Sequence, residues 1–382
     1  MDFRKTEEQE LLLESIRELV ERNVPENYIK ECDEKCLPLT KLQEALIESG
    51  FIMIGIPEEY GGTPVDVTTM VLIGELLSSL GVGHSMLSNA LQVDDALSFC
   101  SPEQQKIIMH ELLTTGQNAF CLGITEPQAG SDNSAIATTA VRRGDGKVVI
   151  NGHKCFITNA DRAPYIMCVA RTENPSDPKH QFSMWLVPMN SPGIKIEHMQ
   201  KVGIRMSTLC DVYLEDVVVE EKDLMGKDGY GFIQLMKNFE VERLIIAASS
   251  LGMAEGAYND AVAYANQRVQ FGKPIGSFQL IQEKIVRMAI KLENMKNIVY
   301  KTAWEKDNNL DIGISSALAK LYCSEAAFEV CDDAMQIFGG IGYTAEHRVS
   351  RFWRDSRMHR IGGGTNEIMV HVAGRAILKK HK

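Results

Sequence analysis

The sequence predicts an α+β protein that is mostly helical, read in the order helical, β, helical. Three observations predict it. Apolar residues recur at helical spacing from about Glu7 to Gly116. From about Asn118 to Gly226 the texture changes to short β-rich runs separated by Gly, Pro and Asn. Beyond that, long helical patterns return at roughly 230 to 266, 277 to 307, 312 to 338 and 366 to 380. The implied domains are residues 1–117, 118–226 and 227–382. A chain of 382 residues exceeds one usual core, and no low-complexity linker or repeat interrupts it, so the three parts are expected to pack as one body.

In the first part, Leu11, Ile16 and Val20 mark one amphipathic face. Leu42, Ala45 and Leu46 belong to a helix that stops at Gly50, where a left-handed residue is needed. The stretch from Ile56 to Gly62 is turn chemistry, and further helices run from Thr68 to Leu80 and from Pro102 to Leu113. In the second part, Lys147 to Ile150, Tyr165 to Ala170, Phe182 to Val187, Ile194 to Ile196 and Val212 to Val219 read as strands of an antiparallel domain. Asn151-Gly152, ahead of Phe156, reads as a hairpin turn.

Charge and composition narrow the function. A net charge of −11 and a pI near 5.4 argue against nucleic acid or an anionic membrane as the main partner, since both demand a basic face. No apolar run approaches the eighteen or so residues of a membrane span, and the acidic amphipathic start resembles neither a signal nor a transit peptide. Nine cysteines lie scattered without a CxxC pair, and no His completes a metal set beside Cys32 and Cys36. A cytoplasmic protein without a metal is expected.

The helix from Gly231 to Ala248 carries two central carboxylates in different settings. Residues three, four and seven apart share a helix face, so Glu240 falls beside Lys237 and Arg243. Glu242 falls beside Leu235, Asn238, Ile245, Ile246 and Ser249 and interrupts an apolar stripe. Burial raises a carboxyl towards the pH at which a general base works best, so Glu242 is the candidate base. The commoner explanation of such a residue is pairing with a neighbour such as Arg243.

Other motifs have ordinary explanations when taken singly. Leu122 to Asp132, with its small and hydroxyl residues, is a turn-rich loop that also lets backbone approach a ligand. It is no dinucleotide fingerprint, for GxGxxG is missing. Phe156 is a stacking candidate or plain core. Arg268 is a phosphate grip or a cation at a helix end. The glycines after Gln336 end a helix, and Thr365 is an N-cap for the last one. Arg351-Phe352-Trp353-Arg354-Asp355 favours structural pairing over nucleic-acid contact.

Together and in this order, these motifs resemble the acyl-CoA dehydrogenase family over essentially the whole chain. The resemblance rests on Ile124-Thr125-Glu126-Pro127 with Gly130-Ser131-Asp132, on Phe156-Ile157-Thr158-Asn159, on Arg268 to Gly272, on Gln336 to Gly340 and on Gly364-Thr365-Asn366-Glu367. Ala265 to Gly272 and Gln279 to Lys284 look most like the branch that contains crotonobetainyl-CoA reductase.

The resemblance implies a central β-domain between an amino-terminal helical domain and a carboxy-terminal four-helix bundle, usually in a homotetramer. It implies FAD, touching Leu122, Ile124, Thr125, Ser131, Phe156 and Thr158, with Thr365 and Glu367 nearby. Arg268, Phe271, Gln279, Gln336, Gly339 and Gly340 would come from a neighbouring subunit, and Ser131 and Arg243 would help place the acyl-CoA. One departure stands out: where many members carry a glutamate base just before the final Gly-Thr, this chain has Gly363. A minority branch puts the base on the bundle helix before an arginine, which here is Glu242-Arg243. The expected reaction joins an acyl-CoA and its trans-2-enoyl-CoA, with an electron-transferring flavoprotein as partner. The alternatives are a physiological reductase of crotonobetainyl-CoA or a related short enoyl-CoA, linked to carnitine metabolism, and a flavin-free scaffold.

Overall fold

The computed structural model describes residues 4–83, 85–116, 118–173 and 180–380. Six helices come first: α1 (Glu7–Asn23), α2 (Glu26–Lys35), α3 (Thr40–Glu48), α4 (Val67–Ser79), α5 (Ser85–Phe99) and α6 (Pro102–Thr115). Their starts are written in the sequence. Thr6 with Gln9 and Ser101 with Gln104 form capping boxes, and the Asp66 side chain accepts from the Thr69 backbone N–H. Periodicity found α1, α3, α4 and α6. It missed α2 and α5.

The middle sheet has eight strands: β1 (Phe120–Gly123), β2 (Thr139–Arg142), β3 (Lys147–Thr158), β4 (Tyr165–Thr172), β5 (Phe182–Pro188), β6 (Ile194–His198), β7 (Leu209–Glu220) and β8 (Leu224–Met225). The order is β6-β7-β3-β2-β4-β5-β8, with β1 added against β4. The sheet is mixed rather than wholly antiparallel, because β1 and β2 both pair with β4 in parallel. β4 is buried on both faces and alternates strictly: Ile166, Cys168 and Ala170 enter one core, Met167 and Val169 the other.

The expected hairpin at Asn151-Gly152 is not there. Strand β3 runs straight through, with a bulge between Ile150 and Gly152 against β7. Asn151 is tied across the strands instead: its Nδ2 donates to Asp216 Oδ1 at 3.1 Å and its Oδ1 accepts from the Asp216 N–H at 2.8 Å. Gly152 is required by close approach, since a Cβ there would overlap the Thr138 side chain.

The last part holds α7 (Gly231–Gln267), a two-strand hairpin β9 (Val269–Gln270) and β10 (Lys273–Pro274), then α8 (Gln279–Asp307), α9 (Gly313–Phe338), α10 (Val349–Ser356) and α11 (Asn366–Lys380). The four long patterns fall within a few residues of expectation. The aromatic-basic patch proves to be α10 and makes structural pairs: Arg351 with Glu26 at 2.9 Å, Arg354 with Asp33 at 2.5 Å, and the buried Asp355 accepting from the Ile204 N–H at 2.5 Å. One apolar core runs from α1, α3 and α4 into α7, α8, α9 and α10, so the two helical parts share an interior. A second core joins one face of the sheet to α5, α6 and the start of α7.

Candidate active site

The start of α7 lies where these cores meet, which explains the setting of Glu242. Leu235, Ile245, Ile246 and Ser249 on its face are all buried. Asn238 and Lys237, expected beside Glu242 and Glu240, lie outside the described side chains. Among the described residues, Glu242 has no hydrogen bond or ion pair. Part of its surface stays accessible, yet burial raises its carboxyl above the usual range, and the Arg243 charge offsets this only in part. Among the described residues, then, Arg243 acts on Glu242 through its charge alone and forms no hydrogen bond or ion pair with it. Arg243 is 5% exposed, and its Nε finds no partner among the described residues.

Glu240 corrects a different expectation. Its environment is not simply cationic: burial and the nearby Asp311 carboxylate push its carboxyl up, against the lowering effects of Lys306 and Arg243.

The loop that follows α10 lies against the same stretch of α7. A Cβ on Gly363, which sits at φ +63°, would overlap Ile246 Cδ1, one helical turn beyond Glu242. The position at which the resemblance places the base of many family members thus borders the buried face that carries Glu242. From α9 below, the fully buried Lys320 donates to the Gly364 carbonyl at 2.6 Å and to Asn366 Oδ1 at 3.1 Å. Asn366 Oδ1 also accepts from Ser324 Oγ at 3.0 Å, and Thr365 caps α11 by accepting from the Ile368 N–H at 3.3 Å. Glu367 is exposed in the first turn, and its carboxyl is lowered chiefly by its own backbone N–H and by Thr365.

In the sheet, the structure joins Leu122, Ile124 and Thr125 to Phe156 and Thr158, because the Cys155 N–H donates to the Thr125 carbonyl at 2.9 Å. Glu126 fixes the intervening loop. Its buried carboxylate accepts from the Ala137 N–H at 2.6 Å, the Thr138 N–H at 3.0 Å, the Thr138 hydroxyl, Gln128 at 2.5 Å and the fully buried Lys154 at 2.7 Å. Burial opposes its charge, but Lys154, Thr138 and the Ala137 N–H outweigh that and hold the carboxyl below its usual range. Ser131 lies exposed at the end of this loop. Phe156 is 60% exposed at φ +59°, a costly conformation for an aromatic residue, so its ring is presented rather than buried.

A further group gathers at the other end of α7. Arg268 caps its carboxy terminus, Phe271 is 92% exposed at the β9–β10 turn, and Gln279 starts α8. Tyr264 stacks on Phe338 at 4.3 Å, which brings Gln336, Gly339 and Gly340 to the same end. Glu242 and Arg268 are 26 residues apart on one helix, about 39 Å at 1.5 Å per residue. A single protomer therefore does not bring the two groups into one site.

This architecture can be compared with known proteins. Three family models match in order: acyl-CoA dehydrogenase N-terminal domain over residues 6–115, middle domain over 121–217 and C-terminal domain over 229–378. The "Probable acyl-CoA dehydrogenase YdiO" of Escherichia coli K12 is 51% identical over 382 residues, all of both chains. The chain belongs to the acyl-CoA dehydrogenase family. Among solved structures, the butyryl-CoA dehydrogenase of Megasphaera elsdenii superposes with a TM-score of 0.91 at 33% identity, covering 99% of this chain and 100% of its own. A chain from the work titled "Electron transferring flavoprotein of Acidaminococcus fermentans: Towards a mechanism of flavin-based electron bifurcation" gives 0.92 at 35% identity, with 99% and 100% covered.

This acyl-CoA dehydrogenase is an FAD-dependent oxidoreductase, which removes the flavin-free scaffold from consideration. Sequence reasoning missed Lys320 and Lys154, and named Asn366 in a motif without the contacts it makes with Lys320 and Ser324. A lysine in a helix ordinarily marks a solvent face, and nothing in the sequence signals that Lys154 meets Glu126 across strands.

Proposed function

We propose that Glu242 is the base, removing the α-proton of an acyl-CoA and so leading to the trans-2-enoyl-CoA. The observation that carries this reading is a carboxylate without a described partner on a buried face, beside a loop position that holds only Gly363. Raised basicity and a nearly dry wall make Glu242 a competent proton acceptor, and the same acid returns the proton in the reverse reaction. Arg243 and Ser131 place the thioester end; the partnerless Nε of Arg243 supports this for an anionic or carbonyl ligand. FAD, when bound, supplies the acceptor for the β-hydride.

The chain's residues fit that cofactor. Phe156 presents its ring, and the Leu122, Ile124, Thr125, Ser131 and Thr158 backbone stands beside it on a loop held by Glu126. Thr365 and Glu367 approach from α11. Arg268, Phe271, Gln279, Gln336, Gly339 and Gly340 would complete the site of a neighbouring copy, which their exposure and the 39 Å or so along α7 support. On this reading the enzyme is a cytoplasmic homotetramer with domain boundaries near residues 117 and 226. Likeness to the butyryl-CoA dehydrogenase makes a four-carbon chain the first substrate to try, and likeness to the Acidaminococcus fermentans work makes an electron-transferring flavoprotein the partner.

The test is anaerobic mixing of the yellow holoenzyme with acyl-CoAs of increasing length. Bleaching of the flavin band by at least one saturated acyl-CoA is expected, and a flavin that no acyl-CoA reduces would overturn the reading. Rates with an oxidised against a reduced electron-transferring flavoprotein then set the direction.

A further inference from the structure

Lys320 is a buried titratable group that the reaction above leaves unused. It lies in an alanine-rich helix face, 0% exposed, between α7 and the start of α11. Removing a lysine from water is costly unless its donors are used and an anion is at hand. Among the described residues its ammonium meets neutral acceptors alone, the Gly364 carbonyl and Asn366 Oδ1. Of the charges that act on it, the cationic Arg243 opposes its own charge and the exposed Glu367 favours it. A purely structural role would be served at lower cost by an apolar side chain.

What Lys320 does hold is the loop Gly362-Gly363-Gly364. Three successive glycines have more freedom to lose than any other tripeptide, and nothing in their own side chains fixes them. The Lys320 bond to Gly364 is therefore a direct restraint on where Gly363 rests against Ile246. We propose that Lys320 is a positioning residue of the active site: through Gly364 and Asn366 it fixes the glycine loop and the first turn of α11 beside Glu242. Burial and Arg243 lower its ammonium to about 8, so it remains largely charged at neutral pH. Its charge and that of the buried Arg243 act on one another through space, an arrangement suited to negative charge developing on a bound ligand.

This inference rests on the flavin reading above, and it is tested on the holoenzyme with Lys320→Met, which keeps length and apolar volume but removes donors and charge. FAD affinity is measured by fluorescence on the deflavinated protein, together with the visible flavin spectrum and the kcat against KM split for acyl-CoA. FAD binding is expected to weaken about tenfold or more, the scale of lost hydrogen bonds from a charged donor. The flavin band should shift, kcat should fall more than KM changes, and Lys320→Arg should restore part of the loss. If Lys320→Met does not fold, Lys320→Gln, too short to reach both acceptors, is measured in the same way. A variant with lower melting temperature but wild-type FAD affinity, spectrum and kcat would overturn the proposal. Glu242→Gln serves as the separate control: it should bind FAD like wild type, so a failure of the base assignment appears as turnover in that variant and leaves the Lys320 result standing.

Discussion

Glu126 and Glu242 are both glutamates in desolvated surroundings, and the fold treats them in opposite ways. Glu126 is clasped by Lys154, by two backbone N–H groups, by a hydroxyl and by Gln128, and its carboxyl is lowered. Glu242 has no such donors among the described residues, and its carboxyl is raised. The first is a charge neutralised to fix a loop; the second is a charge without a described donor, which on the proposed reading leaves it able to take a proton. Burial alone does not separate structure from chemistry here. The donors do.

Stability measurements can break or sharpen this contrast. The largest effect is expected for Glu126→Gln, which leaves the buried Lys154 without its anion: a loss of about 3–5 kcal/mol in denaturant unfolding, the range for breaking a buried pair. A smaller loss, about 1–2 kcal/mol, is expected for Gly363→Ala, through the left-handed backbone at φ +63° and the overlap with Ile246. The smallest is expected for Glu242→Gln, within about 1 kcal/mol of wild type and favouring the variant at alkaline pH, since it removes the cost of ionising a carboxyl that burial opposes.

The two glutamates should also respond to pH with opposite sign. Glu126 has a folded pKa below its unfolded value, so its contribution is complete above about 4.5 and is lost as pH falls through the folded pKa. Glu242 has a folded pKa above its unfolded value. The folded state holds that proton more tightly, so its contribution is present below about 4.5 and disappears as pH rises through the folded pKa. Melting temperatures of Glu126→Gln and Glu242→Gln relative to wild type, taken from pH 2 to pH 9, should therefore change in opposite senses: the Glu126→Gln deficit shrinks as pH falls below about 4.5 and is flat above it, whereas Glu242→Gln gains on wild type as pH rises above about 4.5. Parallel curves would mean that the two sites do not differ as described.

How much of this was legible in the sequence follows from the range of each interaction. The long helices could be read because their periodicity is local, and Glu242 could be read because its neighbours on α7 are three, four and seven residues away. The Gly363 vacancy was legible by resemblance. Glu126 and Lys154 meet across 28 residues, and Lys320 meets Gly364 across 44, so each pairing exists only once the fold is formed. Asn151-Gly152 misled because the same dipeptide that makes a tight turn also makes a bulge, and the choice was set by Asp216 on another strand. Strand β1 was missed, and its parallel pairing with β4 leaves no local signature.

The central claim, that Glu242 and not its neighbour Glu240 takes the α-proton, is tested most directly by stopped-flow reduction of the bound flavin by acyl-CoA in Glu242→Gln and Glu240→Gln side by side. Loss of the base should slow reduction by about 10²–10⁴-fold with flavin still bound, while Glu240→Gln stays within about tenfold of wild type. Normal reduction in Glu242→Gln, or an equal loss in both variants, would contradict the account.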